Sequence, residues 1–384
     1  ATHQIGVLRL SPAGTVLWAR VYPGTFGNDP LLAPNPGVDI EELPDGAGFV
    51  AIGRREGRPV LFRIDPAGAI VTHHTYFVPG ADQARMTFTD VDVDRDQQSY
   101  VVSGAFARDP AGGGTGIDTL LVRTDPFGIP MFARTYSTFT PAGAPGIDES
   151  GDGIFVTRNG TLVIAGRTDM ATASDVAMQM IRTDPLGNVI WQRHYPEAVA
   201  AGGVRLESAY RAVEENEELM LSNGGRRLPS PLIGGPTSAT LLVTDPFGTP
   251  MFRWNYLAGD RQWAEDAVVA RRTCGWLLGG LIIGAPVGVG LDDGYLIKTN
   301  DEGSSGCREN RIPQQALEAP FQHVDWDLEF QRQQEHITWQ AGFLPIETRD
   351  PAVCFTPRCV PCPADLSGSA DPNSPAYGVP DGVV

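Results

Sequence analysis

Apolar and polar residues alternate in short runs along most of this chain, and Gly, Pro, Asp and Asn interrupt the runs at regular intervals. Runs such as "TLLV" from Thr119 and "IPMFARTY" from Ile129 are rich in β-branched and aromatic residues, which predicts strands. The interruptions predict hairpin turns, and one of them recurs. "RTDPFGIPMFARTY" begins at Arg123, "RTDPLGNVIWQRHY" at Arg182 and "VTDPFGTPMFRWNY" at Val243. "RLSPAGTVLWARVY" around Ser11 and "RIDPAGAIVTHHTY" around Asp65 are further copies, and "KTNDEGSSGCREN" around Asn300 is a degenerate sixth. In this phrase Asp, Pro, any residue and Gly suit the four positions of a type I turn. Proline presets φ, the Asp side chain bonds nearby amides, and Gly accepts the left-handed conformation. Asp65, Asp125, Asp184 and Asp245 are therefore expected to be turn formers first and ligands second.

The copies stand 54 to 61 residues apart. Eleven residues after the turn's first residue comes a tyrosine in five of them: Tyr22, Tyr76, Tyr136, Tyr195 and Tyr256. Seven residues after it come Trp18, Thr72, Phe132, Trp191 and Phe252. Fixed offsets of this kind mark internal repetition. Between the copies lies a second hairpin pattern of strand, polar turn, apolar strand and glycine. It reads "EELPDGAGFVAIGR", "DVDRDQQSYVVSGA", "IFVTRNGTLVIAGR", "RAVEENEELMLSNG" and "VVARRTCGWLLGGL". Two hairpins per repeat make a four-stranded antiparallel unit, and tandem units of that size read as β-propeller blades. The first hairpin, residues 4 to 22, has no partner of the second kind. The expected fold is all-β: a six-bladed propeller over residues 1–345 whose last blade joins that hairpin to residues 323 to 343, "VDWDLEF" and "HITWQAGF" supplying the strands. The rival expectation is that the hairpin docks on a neighbouring molecule by strand donation, which would build a filament.

The TDxxG strands, such as "LLVRTDPFG", and the intervening DGGxxIAG-type hairpins resemble a family of secreted bacterial β-propeller repeat proteins over roughly residues 5 to 310. The resemblance implies a propeller fold and an extracellular or cell-surface address rather than a reaction. Residues 346–384 differ in composition and form a Cys/Pro-rich linker and tail. "CPADLSGSADPNSPAYGVPDGVV" resembles the dockerin-like calcium loops of secreted bacterial proteins, in a planctomycete-type variant with an insertion. On that resemblance Asp365, Ser367 and Asp381 would be oxygen ligands for calcium, the one cofactor considered. The alternative is a flexible linker.

Charge narrows the partners. Lys and Arg number 29 against 46 Asp and Glu, a formal net charge of -17, which repels phosphate backbones and anionic lipid. No nucleic-acid partner is expected, and no apolar run approaches the ~20 residues of a membrane helix. No signal peptide is visible, and the strand-like start "ATHQIGVLRL" suggests a processed or trimmed N-terminus. The expected partners are further copies of the chain or cell-surface glycans and proteins.

Of the five cysteines, Cys307 stands seven residues after the sixth turn's first residue, where four of the other copies carry an aromatic, and Cys274 lies in the preceding hairpin. A disulfide between them would close a loop of about 33 residues, worth roughly 3–4 kcal/mol; two buried thiols are the alternative. Cys354, Cys359 and Cys362 suit a small disulfide knot better than zinc, because no nearby histidine completes a ligand set.

Candidate catalytic residues are sparse. Asp90, Asp92 and Asp94 share one strand face, which predicts a solvated face or a cation-lined channel; Val101 stands where an EF-hand-like loop needs glutamate. Adjacent His73 and His74 point to opposite faces, and His194, His323 and His336 show no recognisable partners. "GAPVGVGLDDG" lacks the lysine spacing of a phosphate loop. Asn159-Gly160-Thr161 fits a glycosylation sequon but equally a hairpin turn. Asp148 and Glu149 are carboxylates that glycosidase chemistry would use at a defined separation. The expectation is a secreted, non-enzymatic structural, adhesive or assembly module; a glycan-binding or glycan-degrading propeller is the alternative.

Overall fold

The computed structural model describes residues 5–12, 15–22, 39–55, 58–78, 86–96, 98–107, 116–138, 147–169, 176–196, 211–215, 219–223, 239–256, 261–269, 275–283, 293–306, 309–311, 317–318, 321–326 and 329–332. These are β-strands and turns with one short 3-10 turn at Pro44–Gly46. None of the described residues forms a helix long and apolar enough to cross a membrane.

An N-terminal hairpin, β1 (Ile5–Leu10) and β2 (Val16–Tyr22), forms a two-stranded sheet by itself. The first sheet follows with β3 (Ile40–Glu42), β4 (Phe49–Arg55), β5 (Arg58–Ile64) and β6 (Ile70–Phe77). The second holds β7 (Met86–Asp94), β8 (Ser99–Ala107), β9 (Ile117–Thr124) and β10 (Pro130–Thr138). The third holds β11 (Glu149–Val156), β12 (Leu162–Asp169), β13 (Val176–Thr183) and β14 (Val189–Tyr195). The fourth holds β15 (Arg211–Glu215), β16 (Leu219–Asn223), β17 (Ala239–Thr244) and β18 (Pro250–Tyr256). The fifth has three strands among the described residues, β19 (Arg261–Val269), β20 (Trp276–Ile283) and β21 (Asp293–Lys298). Within each sheet consecutive strands are neighbours, as two hairpins per repeat require.

The recurring turn is built as its residues dictate. In the Asp65 copy the amide of Gly68 donates to the Asp65 carbonyl at 2.9 Å, and Gly68 has φ +84°. This is a type I turn closed by a left-handed glycine bulge, and the pairing of β5 with β6 shifts register there. Asp65 Oδ1 accepts the amides of Ala67 and Ala69 at 2.9 and 2.8 Å, and Asp125, Asp184 and Asp245 repeat both bonds. Asn300 does the same in the degenerate copy.

The C-terminal strands depart from expectation. β22 (Glu309–Arg311) pairs with β18, β23 (Leu317–Glu318) with β14, β24 (Phe321–Trp326) with β10, and β25 (Glu329–Arg332) with β6. The chain thus returns over the four-stranded sheets in reverse order and gives each a fifth strand. Val324 lies opposite Thr135, and Phe330 opposite Tyr76. The expectation that residues 323 to 343 complete a blade with residues 4 to 22 is corrected for the described part of that segment. The outermost strand of each sheet carries a row of unpaired amides and carbonyls, and the returning chain satisfies those rows. Residues 333 to 343 lie outside the described residues.

By contacts the chain divides into two compact units: Ala1–Ala173 with Gln179–His194 and Glu318–Thr348, and Ser174–Met178 with Tyr195–Leu317 and Arg349–Val384. In the first unit the hairpin packs on the first sheet through Ile5, Tyr22, Phe62 and Ile64. The first and second sheets share a core that includes Ile52, Leu61, Phe88, Val91 and Val122. Leu121 and Tyr136 meet Ile154, Ile164 and Ile181 of the third sheet. In the second unit Leu241, Val243 and Tyr256 of the fourth sheet pack on Trp276 and Leu278 of the fifth.

Candidate functional site

The tyrosines that mark the repeat all do the same thing. Each donates its hydroxyl to the carbonyl of the turn glycine one repeat later: Tyr22 to Gly68 at 2.9 Å, Tyr76 to Gly128 at 2.6 Å and Tyr136 to Gly187 at 2.7 Å. In the second unit Tyr195 donates to Gly248 at 2.8 Å and Tyr256 to Gly303 at 2.5 Å. Burial pushes the Tyr22 and Tyr76 phenols well above their ordinary range, so both remain protonated donors. The neighbouring turn carbonyl is held as well. Pro66 accepts from Arg9 and Trp18, and Pro185 from Arg123. The residues most faithfully repeated in the sequence are therefore stacking residues.

The inner strands are joined by carboxylates. Asp39 Oδ2 accepts the amide of Val91 at 3.1 Å. Asp90 and Asp92 Oδ2 accept the amides of Ile154 and Val156, each at 2.6 Å. Asp94 pairs with the buried guanidinium of Arg123, which also donates to Ser99. The expectation of a solvated aspartate face is thereby corrected: Asp90 is buried because the next sheet presents β11 amides that carboxylates cap, and Asp94 is buried against the Arg123 guanidinium. Asp148 and Glu149 do not act as a pair either. Asp148 Oδ1 accepts the amide of Ile117 at 2.9 Å, whereas Glu149 turns to a different set of groups. Asn159 forms its hairpin turn, with Gly160 at φ +79°. His73 and His74 are both buried on β6, and His323 lies on β24 opposite Tyr136.

One place breaks the repeat. In the second sheet Met86 pairs with Phe106, and both are buried apolar residues. At the corresponding pair of the third sheet stand Glu149 and Thr168. On the outer strand Ala133 and Thr135 are answered by Gln192 and His194, and Gln179 takes the place of Leu120. All of these but Gln179 share one polar cluster. Glu149 Oε2 accepts the amide of Thr138 at 2.8 Å. Its Oε1 accepts the hydroxyls of Thr138 at 2.5 Å and Thr168 at 3.0 Å. His194 Nε2 lies 3.7 Å from Glu149 Oε1, and Gln192 Nε2 lies 3.3 Å from both Thr138 Oγ1 and His194 Nε2. Gln179 Nε2 donates to Thr119 at 2.7 Å.

Burial pushes the Glu149 carboxyl up to about 7, with the Asp118 carboxylate adding to the rise against the three hydrogen bonds. Burial lowers the His194 imidazole to about 4. Between those values both groups are neutral, and His194 Nε2 is the acceptor for Gln192. A carboxyl that titrates near neutrality beside an imidazole has the chemistry of an acid–base pair. Glu149 is 1% exposed and His194 6%, so no substrate reaches the pair in this conformation. Sequence reasoning gave His194 no partner. The signal available was the simultaneous loss of apolar character at four corresponding repeat positions.

Among the described residues no three His, Cys, Asp or Glu side chains converge as a metal site. Cys274, Cys307, Cys354, Cys359 and Cys362, the calcium candidates Asp365, Ser367 and Asp381, and His336 lie outside the described residues. No protein-family model matches the chain, and no curated protein matches it at a meaningful level.

Proposed function

We propose that this chain is an extracellular, non-enzymatic β-propeller-type repeat module that serves as a structural, adhesive or assembly element. The observation that carries the reading is the use of the repeated side chains. Turn carboxylates hold the hairpins, and tyrosines bond each hairpin to the next turn. Selection at these positions is then for a stack of sheets, not for a substrate. Among the described residues six repeats are represented: five sheets and the N-terminal hairpin, which corresponds to the outer half of a repeat. A propeller-type series of six blade repeats is the architecture this pattern favours, its first hairpin completed within the chain or by a neighbouring molecule. The resemblance to secreted bacterial repeat proteins and the formal net charge of -17 fit an exported, well-solvated protein.

The test is a panel of neutral and acidic polysaccharides incubated with the protein, scored for both binding and release of reducing ends. The expected result is no release. Turnover that Glu149→Gln abolishes would replace this reading with a glycan-degrading one, built on the Glu149–His194 pair.

A further inference from the structure

The first and second sheets each bury two neighbouring residues of their third strand in opposite directions. Phe62 faces the N-terminal hairpin, while Leu61 faces the second sheet. Val122 faces the first sheet, while Leu121 faces the third. The backward-facing position is filled by Phe62, Val122, Ile181 and Leu242, none more than 1% exposed. In the hairpin that position is Leu8, 45% exposed. The residue just before the turn is buried as Ile64, Thr124, Thr183 and Thr244, but it is Leu10 in the hairpin, 47% exposed. The forward-facing position is buried as Leu61, Leu121 and Leu241. In the fifth sheet it is Leu296, 72% exposed. Leu8 and Leu10 on the hairpin and Leu296 on the fifth sheet are thus exposed at repeat positions that are buried elsewhere, backward-facing in the first case and forward-facing in the second.

We propose that a second copy of this chain covers them, the hairpin of one molecule stacking Leu8 and Leu10 against Leu296 on the fifth sheet of the next. The proposal rests on the assembly reading above and names its partner. The argument for a copy of the same chain is continuity: the contact already occurs within each unit, from hairpin to first sheet, first to second and second to third in one, and from fourth to fifth in the other. The two faces are different surfaces, so the joint is heterologous and propagates into a filament unless the rotation closes a ring. The joint lacks one feature of the internal contacts. Eleven residues after Asn300 stands Arg311, where five repeats carry tyrosine. Arg311 lies on β22, which borders the fourth sheet, so no tyrosine of that repeat position latches the incoming turn, and the joint opens more readily than the internal ones.

The experiment is sedimentation velocity over a concentration series, with negative-stain microscopy, on the full chain and on Leu8→Asp and Leu296→Asp. Both residues are exposed, so both variants are expected to fold and melt as the parent does. The parent's mass should grow with concentration. Each variant should associate at least about tenfold more weakly, the effect of placing a charge against a buried leucine. An equimolar mixture of the two variants is the decisive arm. Each keeps one intact face, so the mixture should form dimers and stop there. A parent that stays monomeric at every concentration overturns the proposal. If the variants then melt lower, the two faces meet within one chain; if they do not, the faces are unused. Undiminished assembly of either variant, or a mixture that forms no dimers, overturns it as well. Polysaccharide turnover would sink the non-enzymatic reading and leave the joint standing, whereas a monodisperse, inactive protein would sink the joint alone.

Discussion

Tyr136 donates to the Gly187 carbonyl at 2.7 Å in a fully buried setting, so Tyr136→Phe leaves that carbonyl without its donor. A loss of about 1–2 kcal/mol is expected, measured as a fall in denaturant midpoint at unchanged slope. Tyr76→Phe should behave alike. The spacing of the tyrosines was plain in the sequence, but their partners were not. Each acceptor is a backbone carbonyl 46 to 53 residues downstream, and a carbonyl has no letter of its own. Glu149 and His194 allow a sharper prediction. A carboxyl raised from 4.5 to about 7 holds its proton longer in the folded chain, so its contribution is full below pH 4.5 and is lost as pH rises towards 7. An imidazole lowered from 6.5 to about 4 contributes fully above pH 6.5 and loses that contribution as pH falls towards 4. Between pH 4.5 and 6.5 the two slopes oppose and nearly cancel, so the contribution of this pair is flat. Relative to the parent, His194→Gln should lose stability from pH 4.5 to 6.5, and Glu149→Gln should gain it over the same range. Melting curves in a pH series check this; parallel profiles for all three proteins would show that the pair is not coupled to folding.

At the scale of the element, the turns were the most legible part of the chain. Asp-Pro-x-Gly states a local conformation, and local conformations are what short sequences encode best. Asp125→Ala removes the acceptor of the Phe127 and Ile129 amides in an exposed turn and should cost about 1 kcal/mol; Asp125→Asn should restore most of it, since Asn300 makes the same bonds in the degenerate copy. Gly128→Ala should cost more than Asp125→Ala. Gly128 has φ +83°, and a Cβ there would sit 3.1 Å from the Tyr76 hydroxyl, so the change strains the turn and crowds the bond that holds it. Denaturant midpoints rank the three variants, and a Gly128→Ala protein as stable as the parent would contradict the conformational argument. The aspartates of β7 show where element-level reading stopped. Alternation correctly placed Asp90, Asp92 and Asp94 on one face. Whether that face met water or the amides of β11 depended on a strand more than 50 residues away.

At the scale of the whole molecule, the repeat period made the sheets and their strand order legible, and the periodic signal ended near Asn300. Beyond it the chain has no repeat to follow, so the path of β22 to β25 could not be read from pattern. "VDWDLEF" looked like a strand and is paired over Val324–Trp326 and Glu329–Phe330, but with the edges of β10 and β6. The four outer strands β6, β10, β14 and β18 would otherwise present bare edges, which invite pairing with other chains. The returning segment therefore protects solubility as well as adding hydrogen bonds. Two truncations separate these contributions. A chain ending at Arg332 keeps β22 to β25, whereas a chain ending at Gly306 loses all four. The shorter protein should melt at lower temperature than the longer one and should aggregate on standing, with increased binding of a dye specific for exposed β-edges. Equal melting temperatures and equal solubility for the two truncations would mean that the fifth strands contribute nothing to the sheets they border.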